Sequence, residues 1–485
     1  MKQSNLSVII TGNGENDLES MKIQLSEANK LKGLKEIIFL SECNKEVHRF
    51  AIRKGVRVLK LGSKILNHKK RVMGAKIAKG DVLLFLDTSL VIKASELESM
   101  VSVIQSKKAD LAISTYTSSP KAGIFNSEIV EHIHNIVANR RDLECASLYY
   151  VPFVISKEAL KDIGIESFAV PSLAKLIAVD KGLKIEVFRI STGSNSKFNS
   201  VDIDGECDIL LEESMQSLSY WLSRTDKRGK YTNLERRLDI LKDQEGKNQY
   251  FHLGVTAIIA ASNEEDTIGP VIRNAFNAGV SQVVVVDNGS TDNTAKIAKK
   301  AGAKIVSIPY RIGHDVGRAV GVMYYPSSYY LFLDADLVIA SESLKPFITA
   351  ITKNGVDVAL NNLSSMLGIY EKWDEVTWSK YFLNHALNRD DLDVNTLTAI
   401  PNALSNRAVE IIGPENLAIP TVAMVRAILA GLNVKAVKEV DVISNNKVRN
   451  EYHRTKKGNL TEQLIIGDMC QGLYELILHK YGRVH

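Results

Sequence analysis

At 485 residues the chain is too long for one ordinary core, and two or three domains are expected. An apolar content of 45% beside 24% charged residues is that of a soluble globular protein. Lys and Arg outnumber Asp and Glu by 61 to 56, a net charge of +5, which is too mild to argue for nucleic acid but suits a phosphate-bearing ligand.

Four cysteines (Cys43, Cys145, Cys207 and Cys470) lie far apart without a Cys-x-x-Cys pair, which is the pattern of reduced thiols and a cytoplasmic protein. The first apolar stretch, Leu6 to Ile10, is closed by Thr-Gly-Asn-Gly and is too short for a signal sequence. No window approaches about 18 uninterrupted apolar residues, so no membrane span is expected, with peripheral association left open.

Continuing along the chain, the hydrophobic run Val82–Leu86 carries Phe85-Leu-Asp-Thr-Ser89, and the same wording returns as Phe332-Leu-Asp-Ala-Asp336. Val8-Ile-Ile10 returns as Ala257-Ile-Ile259 at a shift of about 250 positions. Asn139-Arg-Arg-Asp-Leu143 is matched by Asn388-Arg-Asp-Asp-Leu392. The series Pro152, Ser156, Ala159, Gly164 is matched by Pro401, Ser405, Ala408, Gly413. Matches in one order over most of each half mark a duplication, with copies over 1–225 and 253–485. Between them, 226–252 reads as a charged linker, dense in Lys, Arg, Asp and Glu; Leu234 to Leu241 within it could be an exposed helix, and its charges read as a solvated face.

In the second copy, Thr256–Ala260 reads as a strand, Glu264–Ala278 as a helix, Gln282–Val286 as a strand and Asn293–Ala301 as a helix. Lys304–Ile308 and Tyr329–Leu333 are further strands, Val434–Val442 is the last strand-like segment, and Leu464 to Ile477 is apolar at helical spacing. Near-continuous apolar strands alternating with helices predict an α/β fold with a mainly parallel sheet covered on both faces. Ligands of such sheets gather at the carboxyl ends of the strands, where Asn263, Asp287, Asp334 and Asp336 fall.

Three motifs occur in order: Asn263-Glu-Glu265 after the first strand, Asp287-Asn-Gly-Ser-Thr-Asp292 after the next, and Asp334-Ala-Asp336 at a later strand end. Together they make the second copy resemble a family 2 glycosyltransferase of the GT-A, nucleotide-diphospho-sugar transferase type, including the glucosyl-3-phosphoglycerate synthases. The resemblance implies two tandem GT-A domains, the first degenerate. It also implies a nucleoside diphosphate-sugar donor and a glycan or small-molecule acceptor.

Two carboxylates one residue apart at a strand end can hold Mg²⁺ or Mn²⁺ against a departing diphosphate, which assigns Asp334 and Asp336 to metal. Asp287 can accept hydrogen bonds from a base or ribose edge. Asn263, Glu264, Glu265, Gly289 and Ser290 join it as donor-binding candidates. The resemblance adds His453 as a third metal ligand and Arg454 against the diphosphate, within a loop that also carries Arg449, Lys456 and Lys457. Where similar enzymes carry Gly-Lys-Gly, this chain has Gly313-His-Asp315, so His314 takes the Lys position and Arg318, one turn on, can supply the positive charge.

An inverting reaction needs a carboxylate base. Residues 418–424 contain none; Glu371, Asp374, Asp390, Asp391, Asp393 and Glu415 are nearby, with Asp391 and Glu415 as candidates. A retaining reaction needs no such base. In the first copy Ser89 stands for Asp336, Ser41 for Asp287 and Asn13-Gly-Glu15 for Asn263-Glu-Glu265, leaving Asp87 alone. Donor chemistry is therefore expected in the second copy. The rival readings are a non-catalytic nucleotide-sugar scaffold or sensor, and a sugar-phosphate nucleotidyltransferase.

Overall fold

The computed structural model describes residues 5–12, 17–42, 45–62, 65–116, 127–190, 206–242, 250–368, 372–442, 444 and 458–484. The chain divides between Arg224 and Thr225 into two compact units.

The first unit is built on seven strands: β1 (Leu6–Gly12), β2 (Leu34–Ser41), β3 (Arg57–Lys60), β4 (Val82–Asp87), β5 (Leu111–Tyr116), β6 (Phe153–Ser156) and β7 (Ile185–Ile190). Their order in the sheet is β3-β2-β1-β4-β6-β5-β7. The second unit has β8 (His252–Ala261), β9 (Gln282–Asn288), β10 (Lys304–Ile308), β11 (Ser327–Asp334), β12 (Val358–Asn361), β13 (Asn402–Ser405) and β14 (Val434–Lys438). Their order, β10-β9-β8-β11-β13-β12-β14, is the first unit's order repeated. In each sheet one strand, β6 or β13, runs antiparallel to both neighbours, and the other pairings are parallel.

The strands form where β-branched residues run without interruption. Val283–Val286 is fully covered because helices close both faces of the sheet, so no polar alternation is required. On one face Val283 and Val285 pack with the helices Ile268–Ala278 and Ser341–Lys353. On the other, Val284 and Val286 pack with the helix Val316–Tyr324 and with Ala423 and Met424 of Pro420–Leu429. Helices Pro420–Leu429 and Leu460–Tyr481 share buried faces. Among the described residues no helix is long and apolar enough to cross a membrane.

Three local expectations are corrected. The helix after β8 starts at Ile268, not Glu264; in the loop that precedes it the Glu264 and Glu265 amides donate to Thr294 Oγ1 (2.8 Å) and Asp292 Oδ2 (3.2 Å). The last strand stops at Lys438, because the Val440 amide turns to Asn361 Oδ1 at 2.9 Å. The charged segment 226–252 is not wholly a solvated face: Arg228 and Arg236 are 7% and 6% exposed and belong to the second unit. Within the stretch expected as an exposed helix there is only a short 3-10 turn, Leu238–Lys242.

Candidate functional site

The site is set by strand register. Asp334, the last residue of β11, stands opposite Ala260 of β8, and Asp287 of β9 stands opposite Ala261. Asp334 and Asp287 therefore flank the central strand at nearly one level, about 10 Å apart at two strand spacings. Asp336 follows two residues after Asp334, and both carboxylates are half-buried. Asp287 is 8% exposed and accepts the Ser290 N–H at 3.2 Å, so it shapes its own turn.

Gly289 completes that turn at φ +68°. A Cβ there would meet the Tyr310 carbonyl carbon at 2.7 Å, so both conformation and space require glycine.

The Asn263-Glu-Glu segment forms a latch with the 290–294 loop. Asn263, itself at φ +57°, accepts the Thr291 N–H at 2.8 Å and donates its own amide to Ser290 Oγ at 3.1 Å. Glu265 Oε2 accepts the Asn293 backbone and side-chain N–H groups, each at 3.0 Å. The Glu264 side chain is buried beneath, 4% exposed. These bonds tie the loop after β8 to the loop after β9.

Arg318 lies on the helix Val316–Tyr324, 8% exposed. It donates to the Leu397 carbonyl at 3.1 Å, and its Nη2 lies 3.2 Å from Asp315 Oδ1 and 3.8 Å from Asp334 Oδ1. A cation thus stands beside the carboxylate at the strand end. His314 is half-buried and its carbonyl accepts Arg236 Nε at 2.9 Å. Burial opposes ionisation of Asp315, but Arg318 and Arg236 outweigh it and hold its carboxyl below the usual range.

Sequence reading missed Arg236, Arg228 and Asp468 altogether. The one signal for the two arginines was the charge density before β8, taken for a wet surface.

For a divalent ion, the described donors are the Asp334 and Asp336 carboxylates. Among the described residues no group of three or more His, Cys, Asp or Glu is arranged to hold a metal. The pair suits a hard ion of the Mg²⁺ kind, which takes one or two carboxylates and fills its other positions with water and phosphate oxygens. His453 and Arg454 lie outside the described residues, as do Arg449, Lys456, Lys457 and Glu371.

Of the candidate bases, Asp391 is held away from the strand end, while Glu415 lies in the 3-10 turn Pro414–Ala418. Asp391 is clasped by Arg389 at 2.7 and 2.8 Å, which lowers its pKa. Arg389 in turn reaches the carbonyl of Val434, the first residue of β14. Val434 pairs with Val358, Val358 with Leu404 and Leu404 with Tyr330. That level is four residues before Asp334, about 13 Å back along the sheet. Glu415 is exposed and accepts from Asn416 Nδ2 at 3.1 Å. Asp374 caps the helix Glu375–Ala386 by accepting the Thr377 N–H, and Asp390 pairs with His385.

At the corresponding strand ends of the first unit, Thr11 stands opposite Asp87 and Gly12 opposite Ser41. Asp87 accepts from Thr11 Oγ1 (2.7 Å), Asn67 Nδ2 (3.0 Å) and the Ser89 amide (2.9 Å). The fully buried Lys70 ammonium donates to the Gly12 carbonyl and lies 3.2 Å from Glu42. Asp87 thus accepts three hydrogen bonds from its own unit.

The profile described as glycosyl transferase family 2 matches residues 256–407. Protein RfbJ of Shigella flexneri is 31% identical over 114 residues, 23% of this chain and 86% of that protein. Glucosyl-3-phosphoglycerate synthase of Mycolicibacterium paratuberculosis is 30% identical over 114 residues, 21% of this chain and 35% of that enzyme. An uncharacterized protein of Methanocaldococcus jannaschii is 27% identical over 131 residues, and the match spans 53% of its length, about half. The crystal structure of glucosyl-3-phosphoglycerate synthase from Mycobacterium tuberculosis with Mn²⁺, UDP and glucosyl-3-phosphoglycerate aligns over 46% of this chain and 80% of that one, at 18% identity and a TM-score of 0.33.

Proposed function

The chain belongs to glycosyl transferase family 2, and from that premise we propose that its second unit transfers a sugar from a nucleoside diphosphate-sugar to a hydroxyl-bearing glycan or small-molecule acceptor. The observation that carries the proposal is the register placing Asp287 and Asp334 either side of β8, with Asp336 just beyond. On this reading Asp287 serves the nucleoside, and Asp334 and Asp336 serve the diphosphate end.

Asp334 and Asp336 would hold Mg²⁺ or Mn²⁺, with His453 as a further ligand and Arg454 at the diphosphate. The ion supplies charge neutralisation for the departing diphosphate. Arg318 adds a fixed cation beside Asp334, and the Asn263–Thr291 latch keeps the nucleoside crevice in shape before ligand arrives. Asp391 and Glu415 stay the candidate bases for an inverting reaction, whereas a retaining one, in which the leaving phosphate takes the acceptor's proton, needs neither. A reducing, cytoplasmic setting suits Cys145 and Cys470, both free thiols.

We assign the donor chemistry to the second unit alone. The first unit's Asp87 stands without a second strand-end aspartate and already accepts three internal hydrogen bonds, and this unit acts as a structural, regulatory or acceptor-presenting partner. The deciding experiment is a thermal-shift screen of nucleoside diphosphates and their sugars, with and without Mn²⁺. Metal-dependent stabilisation by at least one of them is expected. No stabilisation by any, confirmed by calorimetry, would remove the proposal.

A further inference from the structure

We propose that Arg236, which precedes both β8 and the family-matched region, is a positioning residue for the donor site, acting through Asp315 to hold Arg318 beside Asp334. The inference rests on the donor-site reading and adds to it a residue outside the matched segment 256–407.

The Arg236 side chain is fully buried and every bond it makes is directional. Nη1 and Nη2 donate to Asp468 Oδ1 and Oδ2 at 2.6 and 2.9 Å, a two-pronged clasp on the helix Leu460–Tyr481. Nη2 also donates to Asp315 Oδ2 at 2.7 Å, and Nε to the His314 carbonyl at 2.9 Å. One planar cation thus joins the long carboxyl-terminal helix to the residue before the helix Val316–Tyr324. Arg228 shares Asp468 at 2.6 Å, so that carboxylate is anchored twice.

From Asp315 the connection continues. Its Oδ1 lies 3.2 Å from Arg318 Nη2, and the same Nη2 lies 3.8 Å from Asp334. The sequence of charges is Asp468, Arg236, Asp315, Arg318, Asp334, alternating in sign. With Arg228, three guanidiniums face three carboxylates, and removing Arg236 leaves the covered Asp468 with one partner fewer.

Backbone geometry points the same way. Asp315 sits at φ +62°, left-handed and unusual for a residue other than glycine, and persists only where its surroundings fix it. Gly313 is at φ +90°, and a Cβ there would come within 2.9 Å of the Arg236 Cα, so the loop is packed directly on this arginine. The Arg237 amide donates to the Ile312 carbonyl at 3.0 Å, tying the two segments by backbone as well. Lysine cannot reproduce the fork: it is a point charge and cannot reach Asp468, Asp315 and the His314 carbonyl in one plane.

The test uses the full chain with UDP as probe in Mn²⁺, titrated by calorimetry, for Arg236→Gln, Arg236→Lys, Asp315→Asn, Arg318→Gln and the pair Arg236→Gln/Arg318→Gln. Circular dichroism confirms that each variant is folded. A tenfold or greater loss of affinity is expected for Arg236→Gln, a smaller one for Arg236→Lys, and no further loss when Arg236→Gln is added to Arg318→Gln. Wild-type affinity in folded Arg236→Gln, or losses that multiply in the pair, would overturn the proposal. Hydrogen exchange of the Val316 and Arg318 amides is read in parallel and needs no ligand. These amides bond to His314 and Asp315 carbonyls and should exchange at least tenfold faster in Arg236→Gln. If UDP does not bind the wild type, the donor-site reading fails while exchange still decides the positioning role. Unchanged exchange would overturn that role. Should Arg236→Gln not fold, Arg236→Lys and Asp315→Asn carry both measurements.

Discussion

Arg71 and Arg318 hold corresponding places in the two units. Arg71 donates to the carbonyls of Leu148 and Tyr149 at 2.8 and 3.0 Å, and Arg318 to that of Leu397 at 3.1 Å. Both straps join the helix before the fourth strand of a unit to the loop before its fifth strand in sheet order. Arg318 also faces the strand-end carboxylate Asp334 and its own neighbour Asp315. A structural strap in one copy stands beside the site in the other.

Replacing either arginine with alanine should therefore destabilise its unit by about 2 kcal/mol, the range for hydrogen bonds from a charged donor. Arg318→Ala should also weaken Mn²⁺-dependent UDP binding, whereas Arg71→Ala should not. Melting and calorimetry on the two variants separate these effects. Equal binding by both would remove Arg318 from the donor site.

Asp336→Asn keeps the shape of the strand end and removes one charge. A loss on the order of 2 kcal/mol in Mn²⁺-dependent binding, a factor of tens, is expected. Binding measured without metal should hardly change. If affinity in Mn²⁺ is untouched, Asp336 is no ligand.

Asp87→Ala tests the division of labour. Three donors, from Thr11, Asn67 and Ser89, lose their acceptor, so the first unit should lose about 1–3 kcal/mol. Nucleotide binding should persist in the folded variant and vanish in Asp334→Ala. The opposite pattern would place donor chemistry in the first unit.

Asp315 gives a pH signature. Its folded pKa lies below the ordinary carboxylate value, so its contribution is present above the unfolded pKa of about 3.9 and is lost as pH falls through the folded value. Asp315→Asn should be less stable than wild type at pH 7, and the gap should narrow as pH drops below about 4. Denaturation followed across that window checks the sign. A gap that widens on acidification would contradict the assignment.

Gly289→Ala should cost at least about 1 kcal/mol from the left-handed backbone alone, and more because the new methyl meets the Tyr310 backbone. Weakened nucleotide binding should accompany the loss, since Gly289 shapes the turn that holds Asp287. A variant with unaltered melting would show that the loop gives way freely.

The strands that sheet burial dictates were legible in the chain. Lys304–Ile308 is observed as read, and Gln282–Val286 is longer by Asp287 and Asn288. Unbroken β-branched runs have few other uses. The fault lay in partners distant in sequence. Nothing near Arg236 announces Asp468, 232 positions on, so a charge count cannot tell a buried clasp from a wet surface. The start of the helix at Ile268 was also missed. Glu264 and Glu265 have good helical propensity, but they lie in the loop before the helix, where their amides donate to Thr294 and Asp292. The Asp334–Ala–Asp336 pair was legible because a strand end and two carboxylates are local features. The distance of Asp391 from that end was not legible, because it follows from the pairing of four strands.

The clasp on Asp468 also decides where the molecule can be cut. A fragment begun at β8 would keep the whole sheet and the paired aspartates, yet its long final helix would carry a carboxylate that is 2% exposed and stripped of both Arg228 and Arg236. Such an excised piece would take water into its interior at that helix or shift the helix outward. The smallest self-sufficient version of the second unit therefore begins upstream of Arg228, in a stretch that the family profile does not reach.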